Sequence, residues 1–356
     1  MTPFSAFDHA MMARSLALAG KGLYSATPNP RVGCVLTQGE TIVGEGWHEK
    51  TGGPHAEVVA IGQAGARAAG ATLYVNLEPC SHQGRTPPCI DLIQKSKIKR
   101  VVAAMLDPNP KAAHGGARLA VAGVAFEHGL MEVEARELNI GFVSRMTRKR
   151  PWVRMKVAAT LDGRTALANG KSQWITGPEA RKDGHRWRAR ACAILTGIGT
   201  VKADDPRLTV RDVETPRQPL RVVVDSRLEI SPKARILEGG NVLLFSGIKG
   251  KPPAGAENIV LPNPQNKVEL PAMLEELARR GVNELHVEAG FRLNGSLVRE
   301  GCVDEFLIYL NPSFLGDEAQ GMFALPGFSS LDERMKTRIT SVERIGEDLR
   351  ILARTA

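Results

Sequence analysis

The feature that most constrains the fold is a histidine and a glutamate at the start of a helix, followed by two cysteines further along the chain. His55 and Glu57 lie in GPHAEVVAIG, and Cys80 and Cys89 lie in EPCSHQGRTPPC. Zinc favours cysteine and histidine ligands, and a catalytic zinc site has three protein ligands and one open position. His55, Cys80 and Cys89 make up that number. The sequence therefore predicts a fold that brings these three side chains around one zinc ion.

Glu57 is not needed as a ligand and is free to move protons. A carboxylate beside an activated water can take its proton and pass it to a departing amine. The order His-x-Glu, then Pro-Cys, then a second cysteine matches the zinc deaminase signature, except that eight residues separate the cysteines here and two in the signature. A closed structural zinc site is the alternative, with His82 as the nearby candidate for a fourth ligand.

The local structure around the cysteines also favours metal binding. We expect Cys80 to end the strand LYVNLEP and Cys89 to lie in a helix that begins at Pro88. The positive end of that helix lowers the pKa of nearby thiols. The other three cysteines lie in apolar segments, where we expect core packing: Cys34, Cys192 and Cys302.

The chain of 356 residues is long enough for two cores, because single cores rarely grow beyond about 250–300 residues. A basic cluster meets Pro151 in TRKRPW, and a new strand begins there. We therefore predict domains over 1–148 and 149–356. Each half alternates helices and strands, which predicts an α/β architecture with helices covering a largely parallel sheet. We expect one long helix over 131–146 and two surface loops over 206–219 and 246–268.

Composition argues against membrane and secreted proteins. Hydrophobic residues at 43% and charged residues at 24% are typical of a soluble globular protein. No segment reaches about 18 uninterrupted apolar residues, and the N-terminal segment predicts an amphipathic helix and not a secretory signal. We expect no membrane partner. Five cysteines, an odd number, favour a reducing compartment, which we expect to be the cytoplasm.

The net charge of +9 is spread along the chain. Residues 1–148 carry 15 basic and 12 acidic residues, a balance of +3, and the remainder carries 32 and 26, a balance of +6. Aromatic residues make up only 5% and do not interleave with basic runs, so we expect no nucleic-acid partner. A phosphorylated small-molecule substrate accounts for the positive charge equally well.

Motifs in both halves resemble the RibD family of bifunctional riboflavin biosynthesis enzymes. The first half resembles its deaminase domain, including the longer loop between the cysteines, in TPNPRVGCV (27–35), GWHEKTGGPHAE (46–57) and EPCSHQGRTPPC (78–89). The second half resembles its reductase domain in KVAATLDGRTA (156–166), SQWITG (172–177), TGIGTVKADDPRLTVR (196–211), VVVDS (222–226) and VEAG (287–290). The resemblance covers nearly the whole chain.

The resemblance implies a cytidine-deaminase-like α/β/α domain followed by a dihydrofolate-reductase-like α/β domain. It implies zinc-dependent hydrolytic deamination of 2,5-diamino-6-(5-phosphoribosylamino)pyrimidin-4(3H)-one to 5-amino-6-(5-phosphoribosylamino)uracil. Reduction of the ribosyl side chain to ribityl would follow. The cofactors would be Zn²⁺ and NADPH, and the family favours a homodimer or higher homo-oligomer through the reductase domain. His55, Cys80 and Cys89 would hold zinc, and Glu57 would relay protons.

The resemblance also implies binding residues. In the deaminase half these are Asn29, His48 and the loop around Arg85, although Asn29 in TPNP is also open to a role as a turn former. The cofactor residues of the reductase half would be Ala158, Trp174, Thr200, Asp204, Ser226, Gly290, Phe291, Arg292, Leu293, Asn294, Gly295 and Ser296. Its substrate residues would be Ser172, Arg188, Leu208, Arg211 and Glu288.

The residues of the second half alone carry a weaker signal. TGIGT has two glycines and is also typical of a simple turn. Gly290 opens a helix whose free N–H groups suit a cofactor phosphate, and arginines suit the phosphate of a substrate. Arg188 as a solvated helix residue and Asp204 as a turn cap stay open. Asp204 and Lys156 are both candidate proton handlers.

Two other functions stay open on the sequence. One is a tRNA adenosine deaminase with 151–356 as an RNA-binding extension, which the cysteine spacing disfavours. The other is a zinc-stabilised scaffold without catalytic activity, in which Glu57 would have no role.

Overall fold

The computed structural model describes residues 4–83 and 87–355. The chain forms two compact units, of which the first ends at Arg148 and the second begins at Lys149. Within the described residues, no helix is both long enough and apolar enough to cross a membrane.

The first unit is a five-stranded mixed sheet between two helical layers. Its strands are β1 (Gly33–Gln38), β2 (Thr41–Trp47), β3 (Thr72–Val75), β4 (Arg100–Ala103) and β5 (Ala125–His128). Its helices are α1 (Ala6–Gly20), α2 (Ala56–Ala64), α3 (Cys89–Lys95), α4 (Gly115–Val121), α5 (Glu132–Leu138) and α6 (Ile140–Arg148). The strand order is β2-β1-β3-β4-β5, and β1 runs antiparallel to both of its neighbours while β3, β4 and β5 are parallel.

Alternation along the strands of the first unit produces its three layers. Leu36, Leu73 and Val101 pack into one hydrophobic cluster. The adjacent Val35 and Tyr74 pack into another. Because successive strand residues point to opposite faces, both faces of this sheet are apolar and each needs a helical cover. The unit is therefore an α/β/α sandwich.

Two glycines let α2 approach the sheet closely. A Cβ atom on Gly44 would lie 2.1 Å from the carbonyl oxygen of Ala60, and one on Gly46 would lie 2.6 Å from that of Ala56. Any side chain at either position would push the helix away from β2. These glycines therefore determine where the first turn of α2 lies.

The second unit contains a nine-stranded sheet of order β11-β10-β9-β8-β12-β6-β13-β16-β15 and a small β7–β14 pair. The first seven strands in this order run parallel to one another. Strand β16 runs antiparallel to β13, and β15 runs antiparallel to β16. The strands are β6 (Trp152–Thr160), β7 (Arg164–Ala166), β8 (Ala193–Gly197), β9 (Leu220–Val224), β10 (Val242–Ser246), β11 (Ala256–Val260), β12 (Glu284–Val287), β13 (Glu305–Asn311), β14 (Gln320–Gly321), β15 (Thr337–Ile345) and β16 (Asp348–Thr355). The helices are α7 (Pro178–Arg190), α8 (Ile198–Asp204), α9 (Leu270–Arg279) and α10 (Phe291–Arg299).

The central strands of this sheet carry ionic side chains on one face. Arg154 is 2% exposed and bonds Glu284 and Glu305 at 3.1 and 2.5 Å. Its guanidinium also lies 4.5 Å from the centre of the Trp187 ring of α7. Removing one partner of such a buried network leaves an uncompensated charge. The network therefore fixes how α7 lies on the sheet.

Three expected elements differ in the structure. The long helix breaks at Asn139, because that buried side chain bonds both the N–H and the carbonyl of Arg31. The expected loop over 246–268 contains the edge strand β11. Cys80 does not end a strand, since β3 stops at Val75.

Asp8 joins the start of α1 to the sheet. Its carboxylate accepts hydrogen bonds from the N–H of Ser5, the hydroxyl of Tyr74 and the guanidinium of Arg100, at 2.8, 2.8 and 2.6 Å. Burial acts to raise the pKa of Asp8, but Arg100 and the other donors outweigh it and hold the pKa well below its usual range. Such a carboxylate stabilises the fold above its unfolded pKa of about 3.9, and the stabilisation is lost as the pH falls towards the folded value.

We expect Asp8→Asn to lower the free energy of unfolding of the first unit by about 1–3 kcal/mol at pH 7, because three donors lose a charged acceptor. Urea denaturation measures the difference. The difference in the free energy of unfolding between the variant and the wild type should become smaller below about pH 4. Glu132→Gln is the control, since its exposed pair with Arg136 is worth no more than about 0.5 kcal/mol. An equal effect of both substitutions would contradict this account.

Candidate functional site

Helix α2 presents His55 and Glu57 at its N-terminus. His55 is the N-cap residue and Glu57 lies in the first turn. Glu57 is only 4% exposed. Burial raises the pKa of Glu57, and the nearby Cys80 raises it further. The carboxyl group therefore holds a proton more readily than a solvated glutamate does.

The two cysteines approach each other through the backbone. Cys89 is the first residue of α3, and its N–H donates to the Sγ of Cys80 over 3.4 Å. The expected helix start at Pro88 is thus met within one residue, with Pro88 as the N-cap. A hydrogen bond from the Cys89 thiol lowers the pKa of Cys80. A lowered pKa favours the thiolate, which is the form of cysteine that binds a metal.

His55, Cys80 and Cys89 form one compact donor cluster. Their ligand atoms all lie within 4.8 Å of one another. The Nδ1 of His55 lies 3.2 Å from the Sγ of Cys89 and 3.6 Å from the Sγ of Cys80. Tetrahedral zinc with Zn–S of about 2.3 Å and Zn–N of about 2.0–2.1 Å places nitrogen and sulfur about 3.6 Å apart. The cluster fits zinc with little adjustment.

The cluster offers three protein ligands. Over residues 4–83 and 87–355, the only group of metal-ligating side chains this close together consists of His55, Cys80 and Cys89. His82 is not part of it. Three ligands leave a tetrahedral ion one free position, which is the arrangement of catalytic zinc.

Asn29 and His48 lie beside this cluster. The Nδ2 of Asn29 is 3.0 Å from the Nε2 of His48. The His48 ring stands edge-on to the His55 ring with 5.6 Å between centres. Burial lowers the pKa of His48. The structure thus brings both expected substrate residues to the metal cluster, whereas Arg85 lies outside the described residues.

In the second unit, Arg188 and Glu288 pair with each other. Arg188 donates to both carboxylate oxygens of Glu288, from Nη2 over 2.8 Å and from Nε. Burial acts to raise the pKa of Glu288, but Arg188 outweighs it and holds the pKa well below its usual range. Arg188 is therefore not a solvated helix residue. Lys156 lies near this pair, and burial lowers its pKa.

The expected cofactor residues lie around the starts of α8 and α10. A Cβ atom on Gly290 would lie 3.4 Å from the Thr200 hydroxyl, and one on Gly197 would lie 3.0 Å from Leu293. The starts of α8 and α10 therefore lie next to each other, with a glycine at the N-cap of each helix. The first N–H groups of a helix have no acceptor within it and suit a phosphate. This cradle fits the diphosphate of a nicotinamide cofactor.

The other expected cofactor residues lie in loops, on β6 or along α10. Trp174 is 71% exposed beneath the guanidinium of Arg181, and the exposed Asp204 accepts from Gln173 over 3.4 Å. The Ser226 hydroxyl oxygen accepts from the N–H of Val268. Others sit on β6 or along α10, where Gly295 packs on the Ala324 backbone and Ser296 accepts from Arg299: Ala158, Phe291, Arg292, Asn294, Gly295 and Ser296.

The remaining expected substrate residues lie on loops near the Arg188–Glu288 pair or before α7. Leu208 is buried in a hydrophobic cluster, so only its backbone can face a ligand. Arg211 is exposed, and its N–H donates to the Nδ1 of His185. Ser172 is half-buried ahead of α7.

Two histidines near Glu288 were missed by the sequence reasoning. His185 lies 3.3 Å from Asp212, and burial lowers its pKa to about 4. The Nε2 of His286 lies 3.3 Å from Glu288. His185 could have been found, because it precedes Arg188 by three residues and so shares its helix face. His286 could not, since a histidine in a buried strand is more often a core residue.

The fold and the two sites define the class of protein. The first unit carries an open zinc site with a buried carboxyl group, and residues 5–105 match the cytidine and deoxycytidylate deaminase zinc-binding region. In the second unit the starts of α8 and α10 adjoin, and residues 151–351 match the RibD C-terminal domain. The class is a zinc deaminase joined to an NADPH-dependent reductase.

Relatives of nearly full length give the family. The chain is 43% identical to riboflavin biosynthesis protein RibD of Escherichia coli, with 96% of this chain and 98% of the relative covered. It is 44% identical to RibD of Haemophilus influenzae, with 99% and 98% covered. The chain belongs to the RibD family and is a bifunctional enzyme of riboflavin biosynthesis.

Solved structures agree over the whole chain. The Acinetobacter baumannii RibD structure has a TM-score of 0.92 at 40% identity and covers 98% of this chain and 99% of its own. A Thermotoga maritima deaminase/reductase has a TM-score of 0.89 at 33% identity with the same coverage. The expected family, fold class and cofactors are confirmed. The tRNA deaminase and the inactive scaffold are not favoured.

We expect Cys80→Ser or Cys89→Ser to reduce bound zinc to about a tenth or less of one equivalent, because two remaining ligands hold the ion too weakly. Metal analysis of purified protein measures it. Cys302→Ser is the control, since that thiol is buried in the second unit and contacts the Glu300 carbonyl. Full zinc in both ligand variants would overturn the assignment of the site.

Proposed function

We propose that the chain catalyses the two reactions named for its Thermotoga maritima relative, a diaminohydroxyphosphoribosylaminopyrimidine deaminase and 5-amino-6-(5-phosphoribosylamino)uracil reductase. The first unit would remove the 2-amino group of the diaminopyrimidinone by hydrolysis. The second would reduce the ribosyl side chain of the product to ribityl with NADPH. The observation that carries the proposal is the three-ligand cluster beside the buried carboxyl of Glu57.

In the deaminase unit, His55, Cys80 and Cys89 would hold the zinc ion. Bound there, zinc supplies the Lewis acid that activates water for hydrolysis. Glu57 would take the proton of the attacking water and deliver it to the departing amine. Its burial supports this role, since burial raises its pKa and makes the carboxyl group a better proton acceptor than a solvated glutamate. Asn29 and His48 would hold the pyrimidine ring.

We expect Glu57→Gln to lower deaminase kcat by about 10²–10⁴-fold, because glutamine cannot carry the proton. Ammonia release from the diaminopyrimidine substrate measures the rate. Zinc content should stay at the wild-type level, since Glu57 is not a ligand. Glu40→Gln, at an exposed position of the same unit, is the matched control. Near-normal activity of the Glu57 variant would reject the proton-relay role.

In the reductase unit, NADPH would lie across the starts of α8 and α10, with Ser172, Arg188, Leu208, Arg211 and Glu288 around the substrate. NADPH supplies the hydride, and the protein positions the sugar C1′ and supplies the proton. We assign proton handling to Lys156 and not to Asp204. Lys156 lies beside the Arg188–Glu288 pair and has a lowered pKa, whereas Asp204 is exposed at the end of α8.

We expect Lys156→Met to lower NADPH-dependent reduction by about 10²-fold or more, because the proton donor is lost. Asp204→Asn should cost about tenfold or less. NADPH should raise the melting temperature of Lys156→Met as it does that of the wild type, and ammonia release should be unchanged in both variants. The reverse ranking of the two variants in NADPH oxidation would assign the role to Asp204.

Three broader assignments complete the proposal. Residues 1–148 would form the deaminase domain and residues 149–356 the reductase domain. The enzyme would act in the cytoplasm without a nucleic-acid partner. It would be a homodimer or higher homo-oligomer through the reductase domain, and the exposed apolar Ile339 and Val342 on the edge strand β15 support a pairing surface there.

A further inference from the structure

Helix α7 carries two side chains that bond the same short stretch of backbone. His185 and Arg188 lie three residues apart on one face of this helix. Arg188 donates from Nη1 to the carbonyl oxygen of Thr209 over 3.2 Å. The N–H of Arg211 donates to the Nδ1 of His185 over 3.3 Å. The backbone of residues 208–211, called here the anchored segment, is therefore held to α7 at two points.

The middle of the anchored segment is bonded from another side. The N–H of Val210 donates to the amide oxygen of Gln218 over 2.8 Å, and its carbonyl accepts from the amide nitrogen over 3.0 Å. Leu208 and Val210 are buried, whereas Arg211 is exposed. The apolar side chains thus lie in the core, and the side chain of Arg211 reaches the surface from a backbone that is fixed on both sides.

The bond to Arg211 defines the state of the His185 ring. A backbone N–H can only donate, so Nδ1 carries no hydrogen, the ring is neutral and its hydrogen lies on Nε2. That nitrogen lies 3.3 Å from the Oδ2 of Asp212. Charged groups face the ring from three elements, with Arg188 on α7, Arg211 and Asp212 on the loop after α8, and Glu288 after β12. Burial, together with the two arginines, lowers the pKa of His185 to about 4 against the opposing effect of the two carboxylates.

Arg211 differs from Arg188 in the balance of its charge. Arg188 donates to both carboxylate oxygens of Glu288. Among the residues that the structure describes, Arg211 has no carboxylate partner, and its Nη1 donates to the hydroxyl of Thr209 over 3.3 Å. A guanidinium can bind a phosphate through two charge-assisted hydrogen bonds. Arg211 is therefore the better placed of the two to bind the phosphate of a substrate.

We infer that His185 is a positioning residue of the reductase: as a neutral acceptor it holds the backbone of Arg211, so that this guanidinium meets the phosphate of the phosphoribosyl substrate. The inference rests on the proposed reductase function, in which Arg211 lies beside the substrate. His185 acts through Arg211 and does not itself bind the substrate. A histidine suits this position because one ring presents an acceptor to Arg211 and a donor to Asp212 at the same time.

The state of the ring can be observed in the wild-type enzyme. In protein labelled with ¹⁵N-histidine, the signals of His185 are those that disappear in His185→Asn. We expect Nδ1 without a hydrogen and Nε2 with one from neutral pH down to about pH 5, because the ring takes up a second proton only near its pKa of about 4. A hydrogen on Nδ1 in this range would overturn the inference. The measurement needs no substrate.

Two substitutions separate the acceptor from the bulk of the side chain. Asparagine places an acceptor near the position of Nδ1, whereas leucine fills the space without one. We expect reductase KM for the phosphoribosyl substrate to rise about tenfold in His185→Leu and less than about threefold in His185→Asn, with kcat within about threefold in both. Lys182→Gln, at an exposed position of α7, is the control with the wild-type KM. Equal KM values for the leucine and asparagine variants, at matched melting temperatures, would reject the positioning role.

The substrate without its phosphate tests what Arg211 binds. Its KM should be the same within about twofold in the wild type and in His185→Leu, because the interaction that the variant weakens is already absent. A rise of about tenfold with this substrate as well would show that His185 does not act on phosphate binding.

A double-mutant cycle tests whether His185 acts through Arg211. Arg211→Gln removes the charge, so adding His185→Leu to it should change KM by less than about twofold. A further tenfold rise in that background would contradict the inference. KM for NADPH and the release of ammonia should match the wild type in every variant. A wild-type enzyme that oxidises no NADPH with the phosphoribosyl substrate would instead reject the proposed reductase function, which is a different result from additive effects in an active enzyme.

Discussion

The deaminase site depends on the approach of two sulfur atoms through one backbone hydrogen bond. The N–H of Cys89, at the open start of α3, donates to the Sγ of Cys80 in the preceding loop. The thiol of Cys89 and this bond both lower the pKa of Cys80. With His55, the two sulfur atoms would hold the zinc ion. The spacing of eight residues between the cysteines works because the helix start returns the second sulfur to the first.

The same unit buries the carboxyl group of Glu57 in the first turn of α2. Gly44 and Gly46 let α2 lie directly on β2, and this removes water from the first turn where Glu57 sits. The cost of burying an ionised carboxylate appears as a raised pKa. The proposed proton relay needs that property, and close packing of a helix on a strand provides it.

Much of this could be predicted from the sequence, because the signals were local. His55, Glu57 and the cysteines carry their chemistry in short motifs, and the strands of both sheets follow from runs of apolar residues. Other features depend on distant partners. The break at Asn139 exists because of Arg31, and the edge strand β11 exists because β10 offers an unpaired side. The Arg188–Glu288 pair and the contact between the His48 ring and the Pro54 carbonyl likewise involve residues that no spacing in the sequence brings together.

The two sites treat a buried carboxyl group in opposite ways. Glu57 is buried beside Cys80, so its pKa is raised, which suits the proposed exchange of protons. Glu288 faces the guanidinium of Arg188, so its pKa is lowered and it stays a fixed anion in the free enzyme. A fixed anion cannot donate a proton, but it can hold a nearby ammonium in place. Burial lowers the pKa of the nearby Lys156. In the proposed reaction, the carboxylate of Glu288 positions this lysine and the lysine donates the proton.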